Sequence, residues 1–251
     1  MDIIQTFYDN LASDYDKLFL DWEATTCEQA DILHKLFTSN GYDTTAHILD
    51  CSCGIGTQSI GLARLGYNIT ASDISIKAIE EAKLRAEKEN ASIRFENADF
   101  RTLSDTFEEK FDIVISMDNA LPHMLSSEDL ERAIISITNQ IKDNGVFLGS
   151  IRDYDALLDS KPTYSPPYIH KTDDGQRVCF QTWEWNDDCY KLIQYIIEDN
   201  KELEVKKFEC EYRATRRDEI TKLFTSCGCS SVKWLFPDET KFYQPIVIAI
   251  K

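Results

Sequence analysis

The sequence predicts a doubly wound α/β fold: a mostly parallel, Rossmann-like sheet of seven strands with an antiparallel β meander inserted late in the chain. Three observations predict it. From residue 47 onward, short apolar runs alternate with stretches of helical periodicity, the rhythm of parallel strands joined by crossover helices. Near 177–185, 189–198 and 203–212 the period becomes two, with polar turns between, as in hairpin-linked strands. After residue 213 a helix and two apolar strands resume the first rhythm. A chain of 251 residues is long enough for one large α/β body with an appended lobe.

The elements follow in order. Residues 1–22 are rich in aromatics and Asp, and residues 23–40 read as a helix with Ile32, Leu33, Leu36 and Phe37 on one face. Gly41 ends it. "HILD" is a strand, "TQSIGLARLG" a helix closed by Gly66, "NITASD" a strand, and "SIKAIEEAKLRAEKEN" a helix opened by Ser75. "SIRFENAD" and "FDIVISMD" are strands, "EDLERAIISITNQIK" a helix and "GVFLGSI" a strand. The Pro-rich stretch "KPTYSPPYIHKTDDG" reads as a loop into the meander. "TRRDEITKLFTSCG", "SVKWLF" and "QPIVIAIK" complete the sheet. The expected organisation is a helical cap over 1–40, a core over 41–152, an inserted lobe over 153–212 and a completion of the core over 213–251.

Composition excludes several classes. The net charge is −17, which repels phosphate backbones, so nucleic acid is not an expected partner. No apolar run approaches membrane-spanning length and no basic-then-apolar leader opens the chain, so the expected address is the cytoplasm, with no membrane partner. Eight cysteines in such a chain read as reduced thiols. Two C-x-C pairs, Cys51/Cys53 and Cys227/Cys229, lack histidines at zinc-site spacing, and no metal is expected.

The stretch "LDCSCGIGTQ" carries the chemistry. Asp50 ends the first strand, and Ser52, Gly54 and Gly56 occupy the turn into the next helix. Small residues there let a ligand press against backbone N–H groups and a helix N-terminus. Asp73 ends the second strand, 23 residues after Asp50, where a carboxylate can accept both hydroxyls of a ribose or cap the following helix. Asp99 ends the third, placed to accept from an adenine amino group with Ile74 or Phe100 against the ring. A nicotinamide-dependent enzyme predicts a full G-x-G-x-x-G, and Ser59 stands at the last glycine.

In the order D-x-x-C-G-x-G (Asp50 to Gly56), "SD" (Ser72, Asp73) and "NAD" (Asn97 to Asp99), the chain resembles the class I S-adenosylmethionine-dependent methyltransferases. Ser52 stands where many members have a first glycine. A narrower resemblance is to the glycine and glycine/sarcosine N-methyltransferases. It rests on "LDCSCGIGTQSIGLARLGYNITASDIS", on Asn119 and His123 in "MDNALPHM", and on Arg152, Tyr154 and Asp155 in "IRDYDALL".

The resemblance implies S-adenosylmethionine as cofactor, with S-adenosylhomocysteine as product. It implies donor contacts from Tyr8, Tyr15, Asp50, Ser52, Gly54, Gly56, Asp73, Ile74, Asp99, Phe100 and Met117. Asn119, His123 and Arg152 are the catalytic candidates, and Asn119, Arg152 and Tyr168 the acceptor-binding ones. Arg152 can hold a carboxylate bidentately, and Asn119 can orient an amine through its amide oxygen. The expected reaction is methylation of a carboxylate-bearing amine such as glycine. The alternatives are a hydroxyl acceptor with His123 as base, or donor binding without turnover. Cys51 and Cys53 read as packing atoms, Trp183 and Trp185 as sheet core, and Arg213, Arg216 and Arg217 as a salt-bridged helix start. The meander can serve as a lid or as the contact of a homo-oligomer.

Overall fold

The computed structural model describes residues 3–172, 175–200 and 202–251. It begins with helix α1 (Ile3–Leu11), a 3-10 segment (Ala12–Leu18) and helix α2 (Trp22–Ser39). Asp21 caps α2, its side chain accepting from Ala24 N–H. Then come β1 (His47–Asp50), α3 (Thr57–Arg64), β2 (Asn68–Asp73), α4 (Ile76–Lys88), β3 (Ile93–Asn97), β4 (Phe111–Ser116), α5 (Ser127–Asn139) and β5 (Ile141–Ser150). Ser75 caps α4 and Ser126 caps α5 in the same way.

Seven strands form one sheet in the order β10-β11-β5-β4-β1-β2-β3, with β10 (Ser231–Leu235) and β11 (Ile246–Ile250) at one end. Pairing is parallel except where β11 meets β5 and β10. The strand order reverses between β1 and β4. A doubly wound sheet opens a crevice at that point, beyond the carboxyl ends of its strands.

Alternate residues of the central strands feed two apolar layers. On β5, Phe147 packs into one cluster while Val146 and Leu148 pack into the other. On β11, Val247 and Ala249 alternate with Ile246 and Ile248 in the same way. That period of two is what a strand buried on both faces requires.

A second, antiparallel sheet has the order β6-β7-β8-β9. Its strands are β6 (Tyr168–Thr172), β7 (Gly175–Asn186), β8 (Cys189–Asp199) and β9 (Leu203–Arg213). The loop expected over 161–175 is therefore corrected in part. Residues 168–172 pair with β7 from Tyr168↔Cys179 onward, because the last proline, Pro167, lies just before the first ladder residue.

Two further differences have local causes. The helix expected to run to residue 142 stops at Asn139, since Ile141 already pairs with Phe111 across the main sheet. The "IRDYDALL" stretch forms a short helix, α6 (Tyr154–Ser160), capped by Asp153. The last helices are α7 (Arg217–Ser226) and the one-turn α8 (Pro237–Thr240). Among the described residues no helix is long and apolar enough to cross a membrane.

Candidate active site

A pocket opens beyond the carboxyl ends of β1 to β4, lined by Ser52, Cys53, Gly54, Asp73, Ile74, Asp99, Phe100 and Met117. Tyr8 and Tyr15 close it from the N-terminal segment. The geometry begins with the turn after β1. Gly54 adopts φ +52°, and a Cβ built on it meets nothing within 4 Å, so its peptide borders open space. Its N–H donates to Asp73 Oδ2 at 2.8 Å, and Ser75 N–H donates to Asp73 Oδ1 at 2.9 Å. Burial pushes the Asp73 carboxyl above its usual range against the pull of those N–H bonds. Each oxygen keeps a second lone pair for a ligand hydroxyl. Asp99 is held bidentately by Arg101, with Nη2 at 2.6 Å from Oδ2, and Arg101 also lines this pocket.

Two residues of the glycine-rich turn stand elsewhere. Asp50 is completely buried beneath it, accepting from Ser59 Oγ–H at 2.6 Å and Ser52 N–H at 3.3 Å. Gly56 (φ +92°) is pressed against Ile60 and Ala82, where a Cβ would come within 2.8 Å of the Ile60 side chain. Neither lines the pocket. Their expected donor contacts are corrected to support of the turn: one carboxylate anchors it, and one glycine lets it pass close to α3 and α4.

A larger cleft of about 840 Å³ adjoins this pocket. Tyr8, Tyr15 and Asp118 line both. Arg152, just past β5, lies in the cleft, donating from Nη1 to Tyr190 OH at 2.7 Å and from Nη2 to Gln181 Oε1 at 3.0 Å. Its guanidinium lies over Trp183 at 4.9 Å and Tyr212 at 5.5 Å from the ring centroids. Tyr168 stands at the rim, 63% exposed.

Asn119 is 2% exposed. Its Oδ1 accepts from Arg152 N–H at 3.0 Å and its Nδ2 donates to Tyr154 OH at 2.9 Å. The amide expected to orient an acceptor thus ties the loop after β4 to the loop after β5.

His123 lines the donor pocket rather than the cleft. Its Nε2 lies 2.8 Å from Tyr8 OH and its Nδ1 3.2 Å from the carbonyl oxygen of Glu211. A carbonyl only accepts, so Nδ1 carries the hydrogen and Nε2 accepts from Tyr8. Burial raises the Tyr8 phenol well above its ordinary value, which keeps it a donor. The base expected at His123 thus stands behind Tyr8 and against the Tyr212 ring, both of which line the cleft.

Sequence reasoning missed Asp118. It sits between pocket and cleft, accepting from Gln58 Nε2 and from Tyr243 OH, each at 2.8 Å. Burial raises its carboxyl above the usual range. Asp118 and Asn119 both take positive φ, +56° and +71°. An Asp-Asn pair tolerates that conformation better than most residues, and this was the available signal. Gln181 and Tyr190 gave none, being ordinary strand residues in sequence.

Cys51 and Cys53 are buried, and burial raises both thiols. Among the described residues no cluster of His, Cys, Asp or Glu could hold a metal ion. Arg213 pairs with Glu219, Arg216 with Asp155, and Arg217 with Asp153 and Asp155.

A sheet with this strand order and this crevice defines a doubly wound α/β fold with a ligand site at its switch point, and comparison with known proteins narrows it. Residues 48–145 match a family described as a methyltransferase domain. Over 182 residues the chain is 26% identical to a glycine/sarcosine N-methyltransferase of Aphanothece halophytica, covering 67% of this chain and 66% of that protein. A glycine/sarcosine N-methyltransferase of Parasynechococcus marenigrum is 27% identical over 155 residues, covering 62% of this chain and 54% of that protein. In both cases the match spans less than two thirds of the relative's length. The crystal structure of an S-adenosylmethionine-dependent methyltransferase from Clostridium acetobutylicum superposes with a TM-score of 0.75 at 19% identity, covering 97% of both chains. The chain has the fold of these S-adenosylmethionine-dependent methyltransferases, and its residues 48–145 are similar to the methyltransferase-domain family.

The residues present fit that cofactor. Asp73 offers oxygens for a ribose, Ile74, Phe100 and Met117 offer apolar surface for a flat ring, and the peptide at Gly54 leaves room for close approach.

Proposed function

We propose that the protein transfers a methyl group from S-adenosylmethionine to the nitrogen of a small amine that also carries a carboxylate, as glycine and related amino acids do. One observation carries this reading: a single cleft holds a cation, Arg152, and an anion, Asp118, and the anion also borders the donor pocket. An amino acid with its carboxylate on Arg152 and its nitrogen beside Asp118 satisfies both charges. The names of the similar N-methyltransferases support the same acceptor class.

S-adenosylmethionine, when bound, supplies a methyl already activated by a positive sulfur, which keeps the electron pair of the broken bond. The chain's own task is alignment and exclusion of water. The Arg152 guanidinium is fixed by Tyr190 and Gln181, and Asn119 accepts from the Arg152 backbone N–H, so the side chain presents its remaining N–H groups in one orientation. Nitrogen must be uncharged to attack. Asp118 stands where it can accept a hydrogen bond from the amine that arrives uncharged, and the proton released after transfer passes to water. A hydroxyl acceptor with His123 as base is the weaker reading, since His123 lies outside the cleft and already accepts from Tyr8.

The test joins calorimetry with S-adenosylhomocysteine to a turnover assay on carboxylate-bearing amines. Arg152→Ala should lower kcat/KM about 100-fold, the cost of a charged hydrogen-bonded anchor, and leave donor affinity within about twofold. Turnover indifferent to Arg152 would move the acceptor elsewhere. A protein that binds no donor would sink the reading.

A further inference from the structure

The cleft is far larger than glycine requires. Its volume of about 840 Å³ falls within the roughly 300–1,000 Å³ of sites that enclose drug-sized ligands. Around Arg152 its amides are bonded to one another. Gln181 Oε1 accepts from Arg152 and, at 3.1 Å, from Trp183 Nε1. Gln181 Nε2 donates to Gln194 Oε1 at 2.9 Å, and Gln194 Nε2 donates to the carbonyls of Phe180 and Tyr195. These amides hold Arg152 in place and are spent on one another.

The lining also includes hydrocarbon side chains. Leu18 and Phe19 come from the N-terminal segment, Ile32 from α2, Leu157 from α6 and Phe242 from the turn before β11. Of the charges there, Asp153 is paired with Arg217, and Glu28 and Lys241 stand exposed at the rim. A glycine held between Arg152 and Asp118 leaves Leu18, Phe19 and Leu157 in water. A ligand with a hydrocarbon body covers them, and the burial of apolar area favours the larger ligand.

We propose that the acceptor is an amino acid or related amine with a large apolar or aromatic body. Its carboxylate binds Arg152, its nitrogen faces Asp118, and its body lies along Leu18, Phe19 and Leu157. The proposal rests on the reading of the cleft as the acceptor site. Ala156, an exposed position of α6 that lines the cleft, limits the length of that body.

The test uses the full chain saturated with S-adenosylhomocysteine. Glycine, norleucine, phenylalanine and biphenylalanine share the ammonium and carboxylate and differ only in the body, and each is titrated calorimetrically. Affinity should rise at least about tenfold from glycine to phenylalanine and stay high for biphenylalanine. Ala156→Trp should weaken biphenylalanine at least about tenfold while donor affinity holds. Affinity that is flat or falls with size overturns the proposal, as does the failure of every member to bind a protein that holds its donor. Failure to bind the donor itself strikes the proposed function, and this proposal with it, and the donor titration separates the two failures.

Discussion

The donor pocket and the acceptor cleft meet at Tyr8, Tyr15 and Asp118 but are built in different ways. The pocket is framed by the ends of β1, β2, β3 and β4, taken in chain order, and its central contacts are backbone N–H groups on one carboxylate. The cleft draws on α1, α2, the loops after β4 and β5, helix α6, all four strands of the second sheet and the turn before β11. Its central contacts join side chains far apart in sequence, such as Arg152 with Gln181 and Tyr190. A site made by strand ends is anchored by topology. A site made by distant side chains depends on packing, and the two should respond differently to damage.

The sharpest difference lies under the donor turn. Asp50 is wholly buried, and burial raises its carboxyl to about 7 despite two hydrogen bonds. The folded value lies above the unfolded one, so the folded chain holds the proton more tightly. Stability from this group is complete below about pH 4 and is lost as pH rises through about 7. Asp50→Asn removes the titration. Its stability relative to wild type should climb by about 2–3 kcal/mol from pH 5 to pH 8, read from urea unfolding at each pH. A difference that stays flat would mean that Ser59 and Ser52 keep the carboxylate ionised at neutral pH. In the cleft, burial raises the Asp118 carboxyl in the same direction, but Asp118 is half-buried and borders open space rather than lying beneath a turn.

Asp73→Ala tests the same region from the ligand side. It removes the acceptor of both the Gly54 and Ser75 N–H groups as well as the carboxylate proposed to accept from a ribose. Affinity for S-adenosylhomocysteine should fall about 100-fold, the cost of losing charge-assisted hydrogen bonds in a buried site. Acceptor titrations, made at saturating donor, should stay within about threefold of wild type. If they fall with the donor, pocket and cleft are one cooperative unit and the contrast between them is wrong.

That contrast also explains what the sequence revealed. The strand and helix rhythm from His47 to Ser150 follows local periodicity, and the fold it implies is the one observed. Ser52, Gly54, Asp73, Ile74, Asp99, Phe100 and Met117 all line the donor pocket, because a strand-end position fixes where a residue stands in a parallel sheet. Asp50 and Gly56 belong to the same motif, but whether a turn residue faces the ligand or the core depends on its side-chain direction, which spacing does not encode. Strand β6 was hidden by the prolines beside it. The cleft was legible only at Arg152, Asn119 and Tyr168, through a family resemblance. Gln181 and Gln194 carry no signal in sequence, since a polar residue on a strand reads as solvent-facing until the fold places a guanidinium beside it.

The smallest expected effect probes the hinge between the two regions. Asn119 joins the loops after β4 and β5 by accepting from Arg152 N–H and donating to Tyr154 OH, while its own N–H donates to Ser150 O at 3.0 Å. It does so at φ +71°, a conformation glycine adopts without strain. Asn119→Gly therefore spares the backbone and deletes only the side-chain bonds. The loop that carries Arg152 then loses the acceptor of its backbone N–H, and acceptor KM should rise about tenfold, the worth of one or two hydrogen bonds, with kcat and donor affinity within about twofold. Asn119→Asp restores an acceptor for Arg152 N–H and should recover most of that KM. A residue that serves only the fold would lower the melting temperature in both variants without this split and without rescue by Asp. A parallel loss of donor affinity would place Asn119 in the donor pocket's support and erase the boundary drawn between the two regions.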